Sequence, residues 1–297
     1  MENSDLPSQT ALTAAAARAA HLIVDGVPVI FADGLAAALL GERAEEFISY
    51  HRAHGTHPVL SCARAQVLCR SRSAEDQLAT CVRHGVTQYV ILGAGLDSFA
   101  YRTGPAGPDV PGRVRVFEVD HPGTQQWKRE RLAAAAIAEP DHVRFVAMDF
   151  EGDSLAGRLR QAGFDPARPA LVSWLGVTMY LTQAAISRTL AEIGGFAPGT
   201  QLITDYMLPA VLRDETGNTY VELVAPAAAE RGEPWLSFFA PGGMSALLER
   251  HGFGRIEHVQ QRDSIPAVLW DRTDSLRPTV LSVLARATVT RLQSGHA

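Results

Sequence analysis

Two glycines one residue apart, Gly93-Ala94-Gly95, close a largely apolar run at residues 88–92 (QYVIL). Without a Cβ, such residues let the chain turn sharply and bring its backbone against a ligand. An acid ends the next run of this kind: Asp120, after residues 113–119. An acid at the end of the strand after a glycine turn is placed to accept hydrogen bonds from ribose hydroxyls. Asp120 also precedes His121-Pro122 and so reads equally as the N-cap of a helix. A third run, residues 142–147, ends in Met148-Asp149-Phe150. There an acid and a ring can meet an adenine amino group and its face, or Asp149 can cap the following helix. Arg70 opens an Arg-Ser-Arg triplet 23 positions before Gly93. Its planar fork suits a carboxylate; the alternative is a solvated pair with Glu75 or Asp76, worth little in stability.

A dinucleotide loop wants G-x-G-x-x-G, with the last glycine allowing close packing of helix on strand. Here that place is Ser98, and Asp97 puts a carboxylate where a pyrophosphate would lie. Asp120 falls 25 positions after Gly95, against roughly 20 in the dinucleotide fingerprint. Repulsive to a diphosphate, the loop is acceptable to a cofactor with a cationic centre. S-adenosyl-L-methionine fits, with its sulfonium, amino group and carboxylate and no phosphate. An NAD(P)-dependent oxidoreductase and a non-catalytic cofactor-binding scaffold are the competing readings.

These residues need an open α/β sheet whose strands deliver them to one edge, as ligands of such sheets bind beyond the carboxyl ends of the strands. Residues 88–92, 113–119, 142–147, 169–174 and 201–206 read as five strands, and residues 255–261 and 279–289 as a final antiparallel pair. Helices are expected over 70–84, 122–138, 155–163, 182–196 and 245–251, and a Gly/Pro loop over 103–112. The fold class expected is α/β: a Rossmann-like class I methyltransferase with a seven-stranded, mostly parallel sheet, helices on both faces and a helical cap. One domain spans 1–297, with a cap at about 11–69, a cofactor core at about 70–206, a lid insertion at about 207–241 and a C-terminal helix and strand pair at about 242–297. Residues 1–10 are polar and read as mobile.

Bulk properties narrow the partners. Net charge is −5 and the pI about 6.1, so no basic field argues for nucleic acid or an anionic membrane. Three cysteines without C-x-x-C spacing fit a reduced cytoplasmic protein. No run has transmembrane length, and no signal peptide is expected. His51, His54 and His57 lack the arrangement a metal needs, so none is assigned. The sequence leaves homo-oligomerisation open.

Three segments go beyond pattern: GAGLDSFAYR (93–102), VFEVDHPGTQQWKRERL (116–132) and WLGVTMYLT (174–182). In this order they resemble the leucine carboxyl methyltransferase family over roughly residues 70–254. That family includes enzymes methylating the C-terminal leucine of protein phosphatase catalytic subunits and many bacterial small-molecule O-methyltransferases. The resemblance implies that Arg70 binds the cofactor carboxylate, with Arg72 as a support. Gly93, Ala94 and Gly95 admit its backbone-facing side, Asp120 holds the ribose, and Asp149 with Phe150 faces the adenine. The family often has a Glu after the fourth strand, near the cofactor amino group; here it is Leu175, which leaves that group to backbone carbonyls or to Asp97. The departure also argues against a phosphatase substrate, while the bacterial, Ala-rich character of the chain points to a small-molecule methyl acceptor such as a natural-product intermediate.

Methyl transfer is an in-line displacement, to which a protein contributes chiefly alignment. An ionised carboxylate needs no general base, whereas a phenol or alcohol does. No histidine is well placed, so the expectation leans to a carboxylate acceptor. Tyr180 and Tyr206, at strand ends over the cleft, either orient the substrate or simply pack with their hydroxyls bonded.

Overall fold

The computed structural model describes residues 8–102 and 114–290. The Gly/Pro loop expected over 103–112 lies outside the described residues, as does most of the N-terminal decapeptide. Its last residues are not loose: Ser8 caps helix α1 (Gln9–Val24), its Oγ accepting from the Ala11 amide.

Among the described residues seven strands form one sheet: β1 (Gln88–Leu92), β2 (Arg115–Asp120), β3 (Val143–Ala147), β4 (Leu171–Trp174), β5 (Gln201–Met207), β6 (Phe253–Gln260) and β7 (Ser282–Val289). Their order is β3-β2-β1-β4-β5-β7-β6, parallel from β3 to β5, with β7 antiparallel to both neighbours. The expected seven-stranded, mostly parallel sheet is thus present. Its strand order reverses between β1 and β4, the place where such sheets open a crevice for ligands.

Side chains alternate across the strands, so each face takes half of every run. Val90 and Leu92 of β1, with Phe117, Val172, Trp174 and Leu202, meet helices α6 (Leu155–Gln161), α7 (Gln183–Gly194) and α9 (Pro241–Arg250). Tyr89 and Ile91, with Val116, Leu171 and Ile203, meet α4 (Pro58–Arg83) and α5 (Pro122–Ala134).

The cap consists of α1, α2 (Ala36–Leu40) and α3 (Ala44–His54). Small residues at Ala15, Ala16 and Ala19 let α1 approach Leu40 and Ile48 closely, and Leu96 from the glycine loop completes the cluster. Asp25 joins cap to core: Arg64 of α4 donates to both its oxygens at 2.9 Å, and His21 Nδ1 lies 3.0 Å away. Proline at the first turn of α4 and the His57 ring accepting from the Val59 amide start that helix. It then runs unbroken through position 70, so no element boundary separates cap from core there. His51 is buried against Arg64, and burial with that guanidinium holds it mainly neutral, down at about 4. Residues 207–241 contain α8 (Glu215–Glu230), begun by an Asp214 side-chain cap. Among the described residues no helix is long and apolar enough to cross a membrane.

Candidate functional site

A cavity of about 300 Å³ opens at the β1/β4 crevice. Arg70, Gly93, Ala94, Gly95, Asp97, Asp120, Phe150, Leu175 and Tyr180 all line it. Asp149 and Tyr206 do not.

The glycine loop is held from within. Gly93 and Ala94 amides donate to the Val119 carbonyl at 2.8 and 3.1 Å, and the Gly95 amide donates to Asp120 Oδ2 at 2.6 Å. Asp120 Oδ1 accepts from the His121 amide at 2.7 Å. Burial raises the Asp120 pKa above the usual value, opposed by those two N–H groups. Each oxygen still has a lone pair for a hydroxyl. His121 itself, not Asp120, caps α5 through its ring. Gly93 and Gly95 both have positive φ, +67° and +47°. What crowds them is protein: a Cβ on Gly93 would lie 2.2 Å from Val177 Cγ2, and one on Gly95 3.0 Å from the Ala11 Cβ of α1. The glycines therefore admit the β4 loop and the cap as well as any ligand.

The Arg70 guanidinium donates to Asp205 Oδ2 at 3.3 Å, while Asp205 Oδ1 accepts from the Gly176 amide at 2.6 Å. Gly176, with φ +72°, leaves room for the guanidinium: a Cβ there would sit 2.4 Å from Arg70 Nη2. Asp205 was not anticipated, although an acid inside a β-type run (QLITDYM) is itself a signal, since Asp is depleted in strands. Arg72 takes the other reading given for this triplet, pairing with Asp76 at 2.8 Å on the surface.

Phe150 lines the cavity and stacks on the buried Trp174, centroids 6.2 Å apart. Its neighbour Asp149 is exposed and forms a turn, Oδ1 accepting from the Glu151 amide at 2.9 Å. Tyr206 points to the opposite face of the sheet, fully buried, its hydroxyl 2.9 Å from His258 Nδ1 and its ring against Phe239. The packing alternative holds for Tyr206, and the substrate-orienting role is corrected.

The cavity's roof comes from segments far apart in sequence. Glu233, in the loop after α8, accepts from Ser8 Oγ at 2.5 Å, Thr10 Oγ1 at 2.6 Å and the Thr10 amide at 3.2 Å. Thr10 Oγ1 is also 3.1 Å from Tyr180 Oη. As its single proton goes to the carboxylate, Tyr180 is the donor in that contact. Burial raises the Tyr180 pKa, with Glu233 adding to it. Nothing local in the sequence marks Ser8, Thr10 and Glu233 as neighbours.

Beside the floor, Arg18 donates to Asp33 Oδ2 at 2.7 Å and to the Leu96 carbonyl at 2.6 Å, and Arg102 pairs with Glu75 and donates to Ser98 Oγ at 3.0 Å. Among the described residues six charged side chains line the cavity, Arg18 and Arg70 against Glu75, Asp97, Asp120 and Glu233. The field inside is acidic and suits a ligand with cationic groups.

The sequence is 32% identical to YktD of Bacillus subtilis, provisionally named an S-adenosyl-L-methionine-dependent methyltransferase, over 292 residues, 91% of this chain and 93% of that protein. Mycobacterial proteins with the same provisional name match shorter stretches, for example 38% over 141 residues in Mycobacterium marinum and 37% over 155 in Mycolicibacterium smegmatis. Those matches span about half the length of the mycobacterial relatives, 45% and 49%. In fold, the chain is similar to a provisionally named methyltransferase from Thermobifida fusca (TM-score 0.60, 16% identity, 97% of each chain). A DUF574 family protein from Streptomyces avermitilis is similar too, with TM-score 0.57, 15% identity, and 91% of this chain against 96% of that one. The leucine carboxyl methyltransferase profile matches residues 11–194, taking in the cap helices as well as the three motif segments. The chain belongs to the leucine carboxyl methyltransferase family.

Proposed function

We propose that this chain is an S-adenosyl-L-methionine-dependent methyltransferase that methylates an oxygen, carboxylate or hydroxyl, of a small molecule. The observation that carries the cofactor reading is the glycine loop, whose amides at Gly93, Ala94 and Gly95 all donate within the protein. A diphosphate cradle needs such amides turned to the ligand, and Asp97 adds a negative charge at the same loop. The donor set suits the sulfonium cofactor instead. Arg70 would take its carboxylate, Asp120 its ribose hydroxyls and Phe150 the face of its adenine; the cofactor supplies an electrophilic methyl group when bound. Held by Asp205, Arg70 presents a fixed fork, which orients one end of the ligand and aligns the other.

The acceptor would enter beneath Tyr180, Thr10 and Glu233. Glu233 weighs against an anionic acceptor, which it would repel, and for a hydroxyl, whose proton a carboxylate at this place could take. This shifts the balance from the carboxylate acceptor favoured on histidine placement alone. Calorimetric titration with S-adenosyl-L-methionine, S-adenosylhomocysteine and NADH tests the cofactor; binding of NADH alone would sink the proposal. Transfer of labelled methyl to a panel of carboxylic acids, phenols and alcohols tests the acceptor, and turnover confined to the acids would overturn the hydroxyl preference.

A further inference from the structure

Most of the charges in the cavity are already committed to protein partners. Arg18 is held by Asp33 and the Leu96 carbonyl, Asp120 by two backbone amides, and Glu233 by Ser8 and Thr10. Glu75 differs. Its Oε1 pairs with Arg102, while among the described residues no donor reaches Oε2, and 16% of the side chain stays exposed. Five residues earlier on α4, Arg70 lines the same cavity, so one helix presents a guanidinium and a carboxylate to one space. Two opposite charges on one helix are the complement of a zwitterion.

The surroundings sharpen the sign. Beyond Arg102, the groups acting on Glu75 are Asp97 and Asp33, both negative, and Asp97 has a carboxylate oxygen, Oδ2, that no described donor reaches. Burial above all, with these two charges adding to it against Arg102, pushes the Glu75 carboxyl up to about 7. A cation set against Oε2 would relieve that repulsion, whereas a second anion would deepen it. Leu175, an apolar residue of the lining, gives the amino end of the ligand no charge of its own.

We infer that Glu75 receives the α-amino group of the bound cofactor while Arg70 on the same helix takes its carboxylate. Glu75 is then a cofactor-positioning residue. The inference rests on the S-adenosyl-L-methionine reading above, and it names the chemistry the site selects: a free ammonium beside a carboxylate.

Calorimetric titration compares S-adenosylhomocysteine with 5′-methylthioadenosine, which has the adenosine and thioether but no amino-acid end. In Glu75→Gln the affinity for S-adenosylhomocysteine falls tenfold or more, while 5′-methylthioadenosine stays within twofold of the wild type. Equal weakening of both, or of neither, overturns the inference, since a structural role would not discriminate between them. Should the glutamine variant fail to fold with Arg102 unpaired, Glu75→Asp keeps the charge and withdraws it by one methylene. It should weaken S-adenosylhomocysteine at least threefold with 5′-methylthioadenosine unchanged, and an unselective effect counts against the inference in the same way. If the wild type binds neither, the cofactor reading itself falls.

Discussion

The floor and the roof of the cavity are held by different physics. On the floor, Arg70, Asp205, Gly176, Gly93 and Val177 are delivered by strand ends and by α4, and Asp205 is 1% exposed. Each partner is fixed by backbone that the sheet already orders. In the roof, α1 and the loop after α8 meet through one carboxylate, with part-buried hydrogen bonds to Ser8 and Thr10. The floor is built to stay as it is when empty; the roof can part without disturbing the sheet.

Variants can break or sharpen that contrast. The largest effect belongs to Asp205→Ala, which strips Arg70 of its partner and leaves the Gly176 amide unsatisfied. Losing one member of a buried pair costs about 3–5 kcal/mol, so denaturant unfolding should show a loss of that size together with loss of S-adenosylhomocysteine binding. An unchanged midpoint would mean the floor is not buried in the sense argued. Gly93→Ala comes next: positive φ strain of about 1–3 kcal/mol adds to the contact at 2.2 Å with Val177. Adding Val177→Ala should recover the steric part of the loss; if the double variant is no better than the single, crowding is not the cause.

Acidity gives a third, smaller test. Glu75 and Glu118, the latter paired with Lys128 at 2.6 Å beneath β2, are both raised from 4.5 to about 7, chiefly by burial. Between those values the folded chain holds more protons than the unfolded one, so stability from these groups is greatest at the acid end and falls as pH rises towards 7. The slope cannot exceed about 1.4 kcal/mol per pH unit for each carboxyl. Glu75→Gln should remove its share in unfolding curves between pH 5 and 7.5 and leave that of Glu118. The same slope in variant and wild type would show that Glu75 does not titrate there. Smallest in equilibrium terms is Glu233→Gln, expected to change stability by under about 1 kcal/mol. It should instead speed both association and release of S-adenosylhomocysteine in stopped-flow traces; unaltered rates would mean that the roof does not gate the cavity.

Much of the floor was legible because its signals are local. A β-type run followed by Gly93-Ala94-Gly95 marks a strand and its turn, and runs ending in acids mark the next strand ends. The antiparallel pair at the C-terminal end was readable for the same reason, within two or three residues of the observed β6 and β7. Tyr206 failed because alternation in a strand fixes the face only once the register is known, and its neighbour Asp205 holds the face towards the cavity. Glu75 was visible only as a partner for the nearby arginines; its pairing with Arg102 needs the fold. The roof was legible only in outline, as Tyr180 over the cleft and a lid at about 207–241; that Ser8 and Thr10 meet Glu233 was not. Ser8 and Glu233 lie 225 positions apart, and their meeting depends on how α1 packs on Leu96 and Ala11 on Gly95.

The unbroken course of α4 has a consequence for anyone who would exchange acceptor-binding parts between relatives. At 26 residues it is a single beam of about 39 Å, bearing Cys62, Arg64, Ala65 and Leu68 at one end and Arg70, Ala74, Glu75 and Leu78 at the other. A graft joined at residue 70 would cut this beam in mid-span and splice two turns whose neighbours differ. The safe seam lies ahead of Pro58, in the bend at residues 55–57, where the chain is already interrupted. Chimeras joined there should keep the grip on the cofactor while trading what stands above it.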